Sequence, residues 1–527
     1  MLFLSSMTDH HHQQQEQEEQ QELAEEIYPP LNPICMPEIL HRCGRFMTRA
    51  SLLRSILVCH QWHFNLLPQL WSSVQMSFHD KPVKYPHSTV FEDNASSVLA
   101  LSVSSRFFME FPDGCCIVCP RLQLLTIMHG TTRDSTFVDD SKVKLIRDHQ
   151  STLRALSINR VSALDLIDVI TGCPQLEELT IGLLQMESEQ RWLPLYEHLF
   201  SRMKVLSIGE TRIGDSGALN DPIALAKTPN GMNVNLRKLD LGTFPDRNDL
   251  LPHLISILRS PGLDSLRLKS PSFGWMEWLA DEVSSRRFTA PLDRLALPGR
   301  YFEDRHLEAI LLGLPGLFRL DLSETNFSMD TLTLLRNDLP ETMSFLQELD
   351  LRHCQQVTGN VVQELLSSLS GLEIFAADYV TDIDILDGGW SWACVGLKQL
   401  TLGVVLCREM TQDLVLAQIG RLERLQELDM ILKEKHPYWE SSSEKVRNLA
   451  LTRGQGLDRL KNLCRLKSFK AHSHDDFPWK AAEASWALRN WVALEELELR
   501  GLGMEARQIL VARSVRVHDV PVYTKHN

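Results

Sequence analysis

The sequence predicts an α/β repeat solenoid, in which short parallel strands alternate with helices, preceded by a small all-α module. Three observations predict it. An L-x-x-L-x-L pattern returns along most of the 527 residues; the segments between copies carry helical spacing; and residues 32–76 hold short apolar runs with aromatic anchors outside that pattern. A chain this long divides into several domains unless its core grows in one dimension, as that of a repeat protein does.

The strand element rests on the pattern itself. Copies stand at Leu122-Leu125-Ile127, Leu153-Leu156-Ile158, Leu236-Leu239-Leu241, Leu263-Leu266-Leu268, Leu317-Leu320-Leu322, Leu346-Leu349-Leu351 and Leu494-Leu497-Leu499, with weaker ones at Val98-Leu101-Val103, Leu372-Phe375-Ala377 and Leu466-Phe469-Ala471. Fourteen steps over the 396 residues from Val98 to Leu494 give a mean period of about 28, within the leucine-rich-repeat range. The helix element rests on apolar stripes such as Leu307, Ile310, Leu311, Leu314 and Val362, Leu365, Leu366, Leu369. Pro-bearing turns at Cys173-Pro174, Ser260-Pro261 and Leu314-Pro315 stop these helices. One unit cannot bury its own Leu stripe but stacked units can, which predicts a horseshoe with strands concave and helices convex. The expected organisation is a disordered acidic tail over 1–31, a helical module over 32–76, a linker over 77–94, and about 15 repeats over 95–527 with an insertion near 433–447.

Charge and cysteine usage exclude several classes. The net charge is −14, and residues 1–31 carry half of it, with Asp9, six Glu and no Lys or Arg. Phosphate-backbone binding needs clustered cations, so no nucleic-acid partner is expected. Eleven Cys without a framework fit reduced thiols, hence the cytoplasm, the nucleus or both. The opening MLFLSSM lacks the basic start of a signal peptide, and no run of about 18 apolar residues predicts a membrane span.

The helical module carries a resemblance. Met36-Pro37-Glu38-Ile39, the pair Leu52-Leu53, Val58-Cys59 with Trp62, and Leu70-Trp71 follow the order of the F-box. The stretch Leu349-Asp350-Leu351-Arg352-His353-Cys354, with Val357-Thr358 after it, is similar to the cysteine-containing leucine-rich repeat of F-box proteins. The chain therefore resembles the F-box/leucine-rich-repeat family, in the form found in large fungal families. The resemblance implies a non-catalytic substrate receptor: the adaptor-binding residues would be Met36, Pro37, Ile39, Leu52, Leu53, Val58, Cys59, Trp62, Leu70 and Trp71, docking a Skp-type adaptor and through it a cullin ubiquitin ligase. Val58, Trp62 and Leu66 fall one turn apart and are expected on one helix face. Glu38 follows Pro37 directly where the family usually has one residue between, and Ser51 stands where an acidic residue is usual. These departures motivate a second reading, a repeat protein-interaction scaffold whose degenerate F-box does not act in ubiquitination. A third reading makes the module an ordinary helical cap of the solenoid.

No phosphate loop, G-x-S-x-G or H-E-x-x-H is present, so no catalytic residue and no cofactor is expected. Cys116 and Cys119 form one C-x-x-C beside Cys115, but a structural zinc site takes four ligands; packing is the expected role, and no metal site is predicted. Side chains alternate along a strand, so the variable positions beside each repeat's Leu residues face outward. On the middle repeats these put basic Arg267, Lys269, Arg294 and Arg319 beside acidic Asp321, Glu348 and Asp350. Two readings stand: this face selects an as yet unidentified client protein by charge, or the charges only keep the face wet.

Overall fold

The computed structural model describes residues 36–76, 88–104, 118–128, 140–186, 199–213, 235–243, 260–269, 273–285, 291–300, 302–314, 316–338, 344–387, 391–406, 411–430, 451–472, 479–500 and 502–519. The acidic tail and the insertion expected near 433–447 lie outside the described residues. The chain divides into two compact units, one within residues 1–159 and 165–176, the other within 160–164 and 177–527.

The first unit opens with α1 (Pro37–Gly44), α2 (Arg49–Ser55) and α3 (His60–Trp71). Pro37 sits in the first turn of α1, where its missing N–H costs nothing. Thr48 caps α2, its Oγ1 accepting the Ser51 N–H at 3.2 Å. The unit continues with β1 (Ser73–Met76), α4 (Ser88–Asn94), β2 (Ala100–Ser104), β3 (Leu124–Met128), α5 (Asp140–Asp148), β4 (Ala155–Ser162) and α6 (Ala163–Gly172), the last two running across the division between units. β1, β2, β3 and β4 pair in parallel in sequence order.

Two sequence expectations change here. Residues 73–76 are a strand inside the stretch expected to be helical, because Trp71, Val74 and Met76 repeat the L-x-x-L-x-L spacing, and Val74 and Met76 are buried. Residues 88–94, expected as linker, form α4, whose buried Phe91 packs edge-on against Trp71 with ring centroids 6.0 Å apart.

In the second unit the strands are β5 (Glu178–Met186), β6 (Val205–Ile213), β7 (Lys238–Thr243) and β8 (Ser265–Leu268). Then come α7 (Phe273–Ser284), β9 (Arg294–Ala296), α8 (Asp304–Gly313), β10 (Arg319–Asp321), α9 (Met329–Asp338), β11 (Glu348–Asp350), α10 (Gly359–Ser368), β12 (Ile374–Thr381) and α11 (Asp382–Asp387). The chain continues through β13 (Gln399–Val405), α12 (Gln412–Ile419), β14 (Glu427–Met430), β15 (Ser468–His472), α13 (Ala481–Asn490), β16 (Glu496–Arg500), α14 (Met504–Ala512) and β17 (Arg516–Asp519). Every strand from β5 to β17 pairs in parallel with the next. The fold is thus α/β, a parallel-strand solenoid of the leucine-rich-repeat type.

Register is what makes this a solenoid. Leu239, Leu266, Leu295, Leu320, Leu349, Phe375, Leu400, Leu428, Phe469 and Leu497 occupy one row across ten strands, each at most 2% exposed. Burying each such side chain contributes roughly 1.5–3 kcal/mol. Every repeat therefore depends on its neighbours to cover its row. The intervening residues point the other way and form the outward face.

Candidate functional site

The helical module has a small core of Leu40, Leu52 and Leu66, flanked by Met47, Ile56, Trp62 and Leu70. Gln69 ties α3 to α1, its Nε2 donating to the His41 carbonyl at 2.6 Å. Arg49 reaches the Ser73 carbonyl at 3.2 Å, tying α2 to β1. Of the predicted adaptor residues, Pro37, Ile39, Leu53, Val58 and Cys59 are exposed, and Met36 is half-buried as the residue preceding α1. Leu52 is buried in the module's own core, and Trp62 and Leu70 pack against it. Trp71 is half-buried against Phe91.

The expectation that Val58 shares a helix face with Trp62 and Leu66 is corrected. Cys59 has extended backbone and precedes α3, so Val58 lies in the turn before the helix, with its N–H bonded to the Ser55 carbonyl at 3.1 Å, and is 64% exposed. Helical spacing was counted through a residue that is not helical.

Sequence reasoning also missed Phe46, Leu57 and Phe64, which are 90%, 81% and 79% exposed. The signal was present: with Ile39, Leu53 and Val58 they are more large apolar residues than a three-Leu core can use. Apolar surface of this kind marks interaction sites when it gathers on a small module.

In the second unit the outward face of β7 to β15 encloses a cavity of about 470 Å³. Two rows of side chains line it. One runs Lys238, Ser265, Arg294, Arg319, Glu348, Ile374, Gln399, Glu427, Ser468; the other runs Asp240, Arg267, Ala296, Asp321, Asp350, Ala376, Thr401, Asp429, Lys470. Of the predicted client residues, six line this cavity; Lys269, just beyond β8, does not.

The structure divides those six by role. Asp321 Oδ1 accepts the Ser323 N–H at 3.0 Å and its hydroxyl at 2.7 Å. Asp350 Oδ1 accepts the Arg352 N–H at 3.0 Å. Each carboxylate thus holds the turn leaving its strand, where Glu324 and His353 take the left-handed backbone at φ 63° and 62°. Asp350 is further held by the Arg352 guanidinium, Nε lying 2.9 Å and 3.1 Å from its two oxygens, and this hydrogen bonding raises the Arg352 pKa above the ordinary Arg value. Arg319 pairs with Glu348 at 2.9 Å. Two of the six remain, Arg267 and Arg294, both exposed and without an ion pair among the described residues.

The C-x-x-C falls mostly outside the described residues. Cys119 itself is fully buried, and its backbone N–H donates to His149 Nε2 at 2.8 Å, while His149 Nδ1 lies 2.7 Å from the Leu145 carbonyl. Burial pushes the Cys119 thiol up to about 12, the wrong direction for a thiolate ligand or nucleophile. Cys354, the residue behind the cysteine-containing-repeat resemblance, is also buried; its Sγ donates to the Leu322 carbonyl of the preceding repeat at 3.0 Å.

No family model matches this chain. No curated protein matches it either. Among solved structures it is similar to one described as the crystal structure of the Rad7 and Elc1 complex in yeast, at 13% identity and a TM-score of 0.41, over 91% of this chain and 96% of that one; at that level the likeness carries no argument about function.

Proposed function

We propose that the chain is a non-catalytic receptor of a Skp/cullin/F-box-type ubiquitin ligase, docking the adaptor through α1–α3 and a client protein through the strand face of the second unit. The observation that carries this reading is the module's surface. Ile39, Leu53 and Phe64 on the three short helices, and Phe46, Leu57 and Val58 in the turns between them, stay exposed around a core of three Leu side chains. A module with so little core is marginal alone and gains most from a partner that covers those side chains. The chain would act by proximity: holding a client near a ubiquitin-loaded enzyme raises the effective concentration of the client's Lys residues, with no catalytic residue supplied here.

Calorimetric titration of the Skp-type adaptor from the organism encoding this chain tests the proposal. Wild type binds, and Leu53→Glu/Val58→Glu loses at least 30-fold, since apolar anchors at interface centres are each worth about 2 kcal/mol or more. Both side chains are exposed, so the thermal midpoint stays within a few degrees. Equal affinities would contradict the docking surface. The scaffold reading draws on a different observation, that Leu52, Trp62 and Leu70 are taken up by the module's own packing. It predicts weak or absent adaptor binding by wild type.

A further inference from the structure

The charges lining the second unit's cavity are sorted by position, and the sorting survives once internal pairs are set aside. Lys238, Arg267 and Arg294 on β7–β9 have no ion pair among the described residues, and Asp240 is the one carboxylate lining beside them. On β10, β11 and the turns after them two pairs neutralise each other, Arg319 with Glu348 and Arg352 with Asp350, while Asp321 keeps its charge and is bonded to its own turn. β12 and β13 line the cavity with no charged side chain, only Ile374, Ala376, Gln399 and Thr401; Asp378 of β12 is taken up by the His353 N–H at 2.7 Å. β14 then presents Glu427, which has no ion pair among the described residues, beside Asp429, which has a partner of its own. Lys470 on β15 is held by Glu496 and Glu498 at 3.9 Å and 3.5 Å.

We infer that the cavity takes an extended, bipolar peptide segment of the client: carboxylates over Arg267 and Arg294, small or apolar residues over Ala376 and Thr401, and Lys or Arg over Glu427. The inference rests on the receptor reading for calling that peptide a client's. Charge complementarity sets the two ends, and the uncharged floor sets the middle, because a charged side chain there would lose water without gaining a partner. Length follows from spacing. Arg294 and Glu427 are five strand steps apart, roughly 24 Å at about 4.8 Å per step. An extended peptide covers that in about seven residues at roughly 3.3 Å each. A uniformly acidic segment would meet Glu427 at its far end, and the like charge there opposes it.

The test is fluorescence anisotropy on the full chain with three labelled decapeptides. One carries three aspartates, four alanines or glycines and three lysines in that order; the second replaces the lysines with aspartates; the third adds a phosphoserine to the acidic peptide. The bipolar peptide should bind at least tenfold tighter than either other. Arg267→Glu/Arg294→Glu should lose at least tenfold on the bipolar peptide, and Glu427→Lys should reverse the preference toward the acidic one, a gain that misfolding cannot produce. Equal or tighter binding of the acidic or phosphorylated peptide by wild type would overturn the inference, as would variants that bind like wild type. If the adaptor binds and no peptide does, this inference alone falls. If the bipolar preference holds and the adaptor does not bind, the receptor reading falls instead.

Discussion

At the scale of single residues, burial decides which chemical groups are available. Burial pushes the thiols of Cys119, Cys354 and Cys394 up to about 12, whereas Cys43, Cys59 and Cys464 are exposed. Iodoacetamide at pH 8 on the native chain, read by peptide mass spectrometry, should label the exposed three and spare the buried three; labelling of Cys354 at the rate of Cys464 would contradict the packing described. His306 gives a pH prediction. Burial, then the Arg305 charge, lowers its pKa below the usual His value, and its Nδ1 accepts the Glu303 N–H at 3.4 Å at the start of α8. The folded state therefore binds fewer protons at this site than the unfolded state, and stability falls as pH drops through about 6.5. The thermal midpoint should decline between pH 7.5 and 5.5, and a His306→Asn variant should show a shallower decline; identical slopes would remove His306 from the account. The sequence showed that residues such as Asp321 and Asp350 face outward. It did not show that each closes its own turn, because L-x-x-L-x-L spacing reports side-chain direction and not what a carboxylate bonds to.

At the scale of elements, close approach of neighbouring strands sets the tolerances. Gly182, Gly209 and Gly242 follow the buried apolar residues Ile181, Ile208 and Leu241 of β5–β7. A Cβ on Gly209 would lie 2.7 Å from the Gly182 carbonyl oxygen, and one on Gly242 would collide with that of Gly209. Gly242→Ala should cost about 1–3 kcal/mol in denaturant unfolding, since backbone cannot yield as a side-chain tip does. Gly454→Ala, with nothing within 4 Å of its Cβ, should be neutral or slightly stabilising. Unchanged stability in Gly242→Ala would mean these strands sit farther apart than described. Element order was legible wherever the Leu pattern was strong. β1 was hidden because Trp71 fits both the closing Leu-Trp of the F-box resemblance and the first position of a repeat. The start of α3 was hidden because an apolar residue one turn upstream looks helical until the backbone at Cys59 is seen to be extended.

At the scale of the whole molecule, the two units carry surfaces of different chemistry. The first unit's helical module exposes bulky apolar side chains, the surface proposed for the adaptor; the second unit's strands present sorted charge around a cavity, the surface proposed for the client. The solenoid was legible because one-dimensional repetition writes itself into the chain many times. The proposed docking surfaces were only half legible, because exposure depends on which Leu or Trp a small core consumes, and spacing does not report that. The most direct measurement is hydrogen–deuterium exchange of the full chain with and without the Skp-type adaptor. The account predicts slowed exchange confined to peptides spanning residues 36–64, with the strands of the second unit unchanged. No slowing anywhere, or slowing on the strands lining the cavity, would contradict it.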